Sequence, residues 1–327
     1  MTVLVTGVAG FIGFHVASAL LARGERVVGI DNLNAYYDVD LKKARLARLE
    51  ANPAFAFRRL DLGDRVAAEA ALAEIKGLDR IVHLAAQAGV RHSLVDPHAY
   101  VDANITGHLV VLEACRRRPD VKHLVYASSS SVYGGNRKLP FAVEDPVDRP
   151  LSLYGATKRA DELMSAAYCH LFRTPMTGLR FFTVYGPWGR PDMSAYLFTK
   201  AIFAGEPIRV FNQGNMRRDF TYIDDIVAGV LAALDRPPAD GGESAPPHRI
   251  YNLGNHRSEP LMRFIEVIER ACNRKAILDL QPMQPGDAPE TFADITTAQA
   301  DLGFAPRTPI DEGIPRFVQW FREYHGV

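Results

Sequence analysis

A chain of 327 residues can hold two ordinary domains or one large domain with a lobe, and 47% hydrophobic residues suffice for a packed core. Its 38 Lys and Arg balance 38 Asp and Glu, so no global field favours nucleic acid or an anionic membrane, and an anionic ligand must meet local positive groups. No basic leader precedes the first apolar run and no apolar segment approaches the roughly 20 residues a bilayer requires, so the expectation is a soluble cytoplasmic protein.

Short runs rich in Val, Ile and Leu, "TVLVT", "RVVGI", "RIVHLAA" and "HLVYASS", alternate with stretches of helical period. That pattern predicts parallel strands buried on both faces and joined by crossover helices: an α/β, Rossmann-like, doubly wound sheet. Directly after the first strand, "TGVAGFIG" places Gly7, Gly10 and Gly13 at the entry to an amphipathic helix. Glycines there let the backbone approach a pyrophosphate, and the helix start offers unpaired N–H groups, so a dinucleotide belongs at this turn. The spacing is GxxGxxG, one residue longer than the more familiar fingerprint. The second strand ends at Asp31, where an acid accepts both ribose hydroxyls and repels a 2′-phosphate, which favours NAD over NADP. Asp61, closing "FRRLD", is placed to reach the adenine.

The strand "HLVYASSSSVYG" ends in the hydroxyl run Ser128–Ser131, and the helix after it carries "YGATK". Tyr154 and Lys158, four apart, share a helix face, so the ammonium favours the phenolate and moves Tyr154 toward use as a general base. "YLFTK" repeats this spacing with Tyr196 and Lys200, but no strand end leads into it, and Tyr196 is read as part of a surface or core helix in the second lobe. The tidy alternation ends near residue 186, where Pro- and Gly-punctuated segments begin a smaller, mixed α/β lobe. "DFTYIDDIVAGVLAAL" predicts a helix capped near Thr221 or Asp224, "RIYNLG" a strand, and residues 237–247 a surface linker. The domain expectation is therefore 1–186 for the cofactor, with a return over 219–256, and 187–218 with 257–327 for the substrate. Cys115, Cys169 and Cys272 are odd in number and lack CxxC or Cys/His spacing, so they are read as buried thiols, with no disulfide framework and no metal site.

"TGVAGFIG", "HLAAQAGVRHS", "SSSSVYG", "YGATK" and "FFTVYGP" occur in the order and approximate spacing of the extended short-chain dehydrogenases/reductases, which the chain resembles over essentially its whole length. "DNLNAYYDVDLK" and "YGPWGRPDM" are similar to the nucleotide-sugar epimerases of that family that act on UDP-glucuronate. The resemblance implies that Gly7, Gly10, Phe11, Ile12 and Gly13 hold the NAD pyrophosphate. It assigns Asp31 to the adenosine ribose, Asp61 and Leu62 to the adenine, and Asn32, Asn34, Leu84, Ala85, Ala86 and Gln87 to the cofactor site without a finer role. Tyr154 is then the acid/base, Lys158 binds the nicotinamide ribose, and Ser129 shares a hydrogen bond with the sugar 4-OH. Asn104 falls on an Asn that orders the proton-relay region in relatives.

For the substrate, the resemblance implies Ser129, Ser130, Ser131, Thr183, Arg91 and Arg190 around the sugar. Phe211 flanks the uracil, Arg218 meets the diphosphate, and Asp287 belongs to the same site. A guanidinium such as Arg190 pairs with a uronate carboxylate. Decarboxylases and dehydratases of the family carry Glu at the position of Ser131, and elimination needs that extra acid or base, so the serine run fits epimerisation. Thr183 replaces an Asn of the galactose enzymes, and Gln284 an Arg near the nucleotide. The implied activity is NAD-dependent 4-epimerisation of UDP-glucuronate to UDP-galacturonate by a homodimer built on helices around residues 97–117 and 153–172. The alternatives are a UDP-glucose/galactose 4-epimerase or a UDP-glucuronate decarboxylase on the same scaffold, and a noncatalytic NAD-binding regulator, a class that commonly lacks the Tyr or Lys present here.

Overall fold

The computed structural model describes residues 1–284 and 288–327. The chain begins β1 (Thr2–Thr6), α1 (Phe11–Ala22), β2 (Arg26–Asp31), α2 (Val39–Glu50), β3 (Phe55–Arg59), α3 (Arg65–Ala73) and β4 (Leu78–His83). A short α4 (Pro97–Tyr100) passes through a π-helical turn at Val101–Thr106 into α5 (Gly107–Arg117), then β5 (His123–Ser129), α6 (Leu153–Phe172) and β6 (Met176–Phe181). There follow β7 (Thr183–Tyr185), α7 (Ser194–Ala204), β8 (Pro207–Val210), β9 (Arg217–Arg218), β10 (Phe220–Tyr222), α8 (Ile223–Leu234) and β11 (His248–Leu253). The last elements are β12 (Glu259–Pro260), α9 (Leu261–Cys272), β13 (Ile277–Leu280), α10 (Thr296–Leu302) and α11 (Ile310–His325).

Seven strands form one parallel sheet in the order β11-β6-β5-β4-β1-β2-β3. The doubly wound fold expected from the strand pattern is thus present. Every residue of β1 is buried, because side chains alternate between two covered faces. Val3, Val5, Val27, Val82 and Val125 pack to one side with α1 and α8, whereas Leu4, Val28, Ile30, Ile81 and Leu124 pack to the other with α3 and α5. The strand order reverses between β1 and β4, where the carboxyl ends diverge and leave a crevice.

The first of these cores continues into the smaller layer, where Phe220 stacks on Phe264 with ring centroids 3.8 Å apart and Trp188 packs against Trp320. Three two-stranded pairs stiffen it: β7 with β10 and β8 with β13, both parallel, and β9 with β12, antiparallel. The cap expected at Thr221 or Asp224 is not formed: α8 starts at Ile223 after Tyr222 with no side-chain cap. Asp219 claims Thr221 instead. Its buried carboxylate accepts from Thr221 Oγ1 at 3.1 Å and from the backbone N–H groups of Asn255 at 2.5 Å and Ala293 at 3.1 Å. Asp224 lies in the first turn, where the helix dipole favours an acid. The three cysteines are buried and free, as expected, and burial pushes the Cys115 thiol up to about 12. Among the described residues no helix is long and apolar enough to cross a membrane.

Candidate active site

A cleft of about 1220 Å³ opens at the carboxyl ends of the sheet and is walled on its far side by the smaller layer. At its floor the turn after β1 is too tight for side chains. Gly7 sits at φ 68°, and a Cβ there would stand 2.7 Å from Ala85 N; a Cβ on Gly13 would stand 2.1 Å from Gly7 O. Bare backbone therefore faces the cleft beside Phe11 and Ile12, in front of the first turn of α1, which fits a pyrophosphate.

Asp31 is buried at the end of β2, its Oδ2 accepting from Ala9 N at 3.1 Å and its Oδ1 from Leu33 N at 2.8 Å. Asn32 Nδ2 donates to Asp61 Oδ2 at 2.9 Å, which ties the two acidic strand ends together. Asn34 receives Lys42 Nζ on its side-chain oxygen at 2.7 Å. An acid pair held in this way beside the glycine turn fits a ribose and its base. Leu62, Leu84, Ala85, Ala86 and Gln87 line the same cleft. The donor set and the bare turn thus suit a dinucleotide.

The reactive end is built by β5 and α6. Ser152 caps α6 by accepting from Gly155 N at 3.0 Å, and a Cβ on Gly155 would lie 2.6 Å from Ser131 O, so glycine brings the helix start against the serine run. All four serines line the cleft, and Ser128 also donates to Glu162 Oε1 at 2.6 Å. Ser129 Oγ accepts from Ser131 N at 3.2 Å. Tyr154 packs edge-on to Tyr100, centroids 6.1 Å apart. Lys158 is buried, its Nζ donating to Ala127 O at 3.1 Å and to Asp161 Oδ2 at 3.0 Å. Asn104, from the π-helical turn, accepts from Gln87 N at 2.8 Å and donates to Thr157 Oγ1 at 2.9 Å, clamping the loop after β4 to α6 one residue before Lys158.

Farther along, Thr183 and Arg190 line the wall beneath the smaller layer. Arg190 gives Nε and Nη2 to Asp192 at 3.0 and 2.6 Å, and the Tyr36 hydroxyl donates to the same carboxylate at 3.0 Å. Burial and the Asp192 charge push the Tyr36 phenol up to about 12. Arg91 lies over Phe211, its guanidinium carbon 4.3 Å from the ring centroid, and Arg218 donates to Pro289 O at 3.2 Å. Asp287 lies outside the described residues.

Sequence reasoning gave no role to Tyr36, Asp192 or Arg45. The first two stand inside segments that carry the resemblance, "DNLNAYYDVDLK" and "YGPWGRPDM", which is the signal available for them. Arg45 sits on α2, is fully buried and donates to Ala9 O at 2.9 Å and Trp188 O at 2.6 Å, joining the glycine turn to the Arg190 loop. Tyr196 packs away from the cleft, its hydroxyl 2.6 Å from His325 Nε2.

Residues 3–254 match the NAD dependent epimerase/dehydratase family. The chain belongs to that family. Among members of the NAD dependent epimerase/dehydratase family, it is 47% identical over 332 residues to a probable UDP-glucuronate 4-epimerase of Rhizobium meliloti, covering 98% of this chain and 97% of that one. It is 46% identical to UDP-glucuronate 4-epimerase 4 of Arabidopsis thaliana, covering 99% of this chain and 76% of the plant protein. The crystal structure of UDP-glucuronic acid 4-epimerase from Bacillus cereus, in complex with UDP-glucuronic acid and NAD, superposes with a TM-score of 0.90 at 33% identity, over 99% of this chain and 100% of that one.

Proposed function

We infer that this chain inverts C4 of UDP-glucuronate to give UDP-galacturonate, with NAD as its resident cofactor. The observation that carries the reading is that Tyr154, Lys158 and the serine run share one cleft with the glycine turn and with Arg190. When bound, NAD takes up the C4 hydride of the sugar and returns it to the opposite face. The chain's part is proton handling and orientation. Tyr154 accepts the 4-OH proton and later restores it, Ser129 hydrogen-bonds that oxygen, and Lys158 binds the nicotinamide ribose. Gly7, Gly10 and Gly13 hold the pyrophosphate, Asp31 the ribose and Asp61 the adenine.

A 4-keto uronate is a β-keto acid and loses CO2 when its C–C bond aligns with the carbonyl. Arg190, Thr183 and the open serines are assigned to holding the carboxylate out of that alignment. Phe211 is assigned to the uracil end, where Arg91, expected at the sugar, lies over its ring, and Arg218 to the diphosphate. In this reading residues 1–186 and 219–256 serve the cofactor, and 187–218 with 257–327 the UDP-sugar. The working form is a cytoplasmic homodimer, a reading supported by exposed Leu109, Leu163, Leu171 and Phe172 on α5 and α6.

The test is incubation of the purified protein with UDP-glucuronate in heavy water, followed by NMR. Inversion at C4 with the original hydrogen retained is expected; pentose as the main product, or deuterium at C4, overturns the reading.

A further inference from the structure

The helix that carries Tyr154 and Lys158 also carries Asp161, one turn beyond the lysine. Both members of this ion pair are buried, with side-chain exposures of 3% and 1%, and Nζ lies 3.0 Å from Oδ2. The other oxygen, Oδ1, has no hydrogen-bond partner among the described residues. A buried carboxylate held by one ammonium is costly to desolvate, and removing either partner strands the other charge.

The surrounding ionisable groups do not supply this counter-charge. On α6 itself, Glu162 is held by Arg180 of β6 at 2.8 and 3.0 Å and by Arg159 at 3.0 Å. From α5 and β4, His108 and His83 face the pair, and burial drives the first to about 3 and the second well below the ordinary imidazole range. His248 of β11 is likewise lowered to about 4 by burial. The phenols of Tyr126 on β5 and Tyr100 on α4 are pushed up by burial and stay neutral. Burial raises the Asp161 carboxyl to about 6, and the Lys158 ammonium 3.0 Å away opposes that shift.

We propose that Asp161 is a positioning residue for proton transfer: its carboxylate keeps Lys158 charged and, by offsetting part of that charge, sets the pH range in which Tyr154 exchanges a proton with the sugar. This rests on the epimerase reading. A negative charge makes every neighbouring proton harder to remove. Lys158 must keep its proton and Tyr154 must lose one, so Asp161 moves both limbs of the activity profile toward higher pH.

The test is Asp161→Asn, which keeps the shape and the acceptor for Lys158 but removes the charge. Both limbs of the kcat/KM profile with UDP-glucuronate are expected to move acidward by about one pH unit. In parallel, tyrosinate absorbance of the holoenzyme, taken as the difference from the same protein with Tyr154→Phe, is expected to rise at lower pH in the Asp161→Asn background. That titration needs no turnover, so a failure of the epimerase reading leaves this test intact. Limbs and absorbance midpoint at the native pH overturn the proposal, whatever happens to kcat or Tm. Should Asp161→Asn not fold, Asp161→Glu is expected to retain the native profile and Asp161→Ser to shift it; equal profiles for those two overturn the proposal as well.

Discussion

The Tyr36 hydroxyl reaches Asp192 at 3.0 Å across 156 residues of sequence. That bond joins the segment after Asp31 to the loop that carries Arg190. Because Asp192 also holds Arg190 through two nitrogens, the phenol, the carboxylate and the guanidinium act as one unit. Removing the phenol oxygen deletes a hydrogen bond to a charged acceptor, a loss of about 1.5–3 kcal/mol where the acceptor is not rehydrated. Tyr36→Phe is expected to raise KM for UDP-glucuronate about tenfold, measured by initial rates; a native KM would remove Tyr36 from the sugar site.

If Arg190 restrains the carboxylate, Arg190→Ala lets the 4-keto uronate reach the alignment that releases CO2. Ser131→Glu adds an acid or base to the serine run. Both variants are expected to yield UDP-pentose at the expense of UDP-galacturonate, read by chromatography of the nucleotide sugars. Native turnover with no pentose from either would defeat the assignment.

Tyr154→Phe removes the transferable proton and leaves the ring packed against Tyr100. General acid–base groups commonly supply about 10²–10⁴ in rate. The variant is expected to lose kcat by such a factor while its NAD content and its affinity for UDP stay native. Full activity would end the proposed mechanism.

What could be read from the chain depended on how local the cause was. The glycine turn, the acids ending two strands, and Tyr154 with Lys158 follow from strand and helix periodicity within a few residues, and the structure gathers all of them around one cleft. Arg45 and the Tyr36–Asp192 bond were hidden because they depend on where the smaller layer settles on the sheet, which no local period encodes. The start of α8 was missed for a local reason instead: Asp219, buried and two residues before Thr221, takes the hydroxyl that the sequence offers as a cap.

Acid should destabilise this protein through its buried imidazoles. Burial lowers His108 to about 3 and His123 to about 4, and holds His83 well below its usual range, so all three are neutral when folded. The unfolded chain protonates them near the ordinary imidazole value of about 6.5. Between that pH and about 4 the unfolded state binds more protons, so stability is complete above the upper value and is lost as pH falls. Each histidine contributes a slope approaching about 1.4 kcal/mol per pH unit. Urea midpoints at pH 7.5 and 5 are expected to differ clearly, the lower at pH 5; equal midpoints would contradict the buried neutral assignment.

The glycine turn offers the sharpest steric test. A methyl group on Gly13 would lie 2.1 Å from the Gly7 carbonyl oxygen and 3.1 Å from Val8 Cα, both backbone atoms that cannot swing aside. The turn and the first turn of α1 must separate, and the N–H groups facing the cleft move with them. A methyl on Gly10 would meet the same Gly7 oxygen at 2.9 Å, a milder overlap. Gly13→Ala is therefore expected to lose bound NAD and several degrees of Tm, and Gly10→Ala to lose less of each. Cofactor content per chain and thermal melts measure both. If the two variants retain equal, native NAD content, the turn does not hold the pyrophosphate and the cofactor must be sought elsewhere along the cleft.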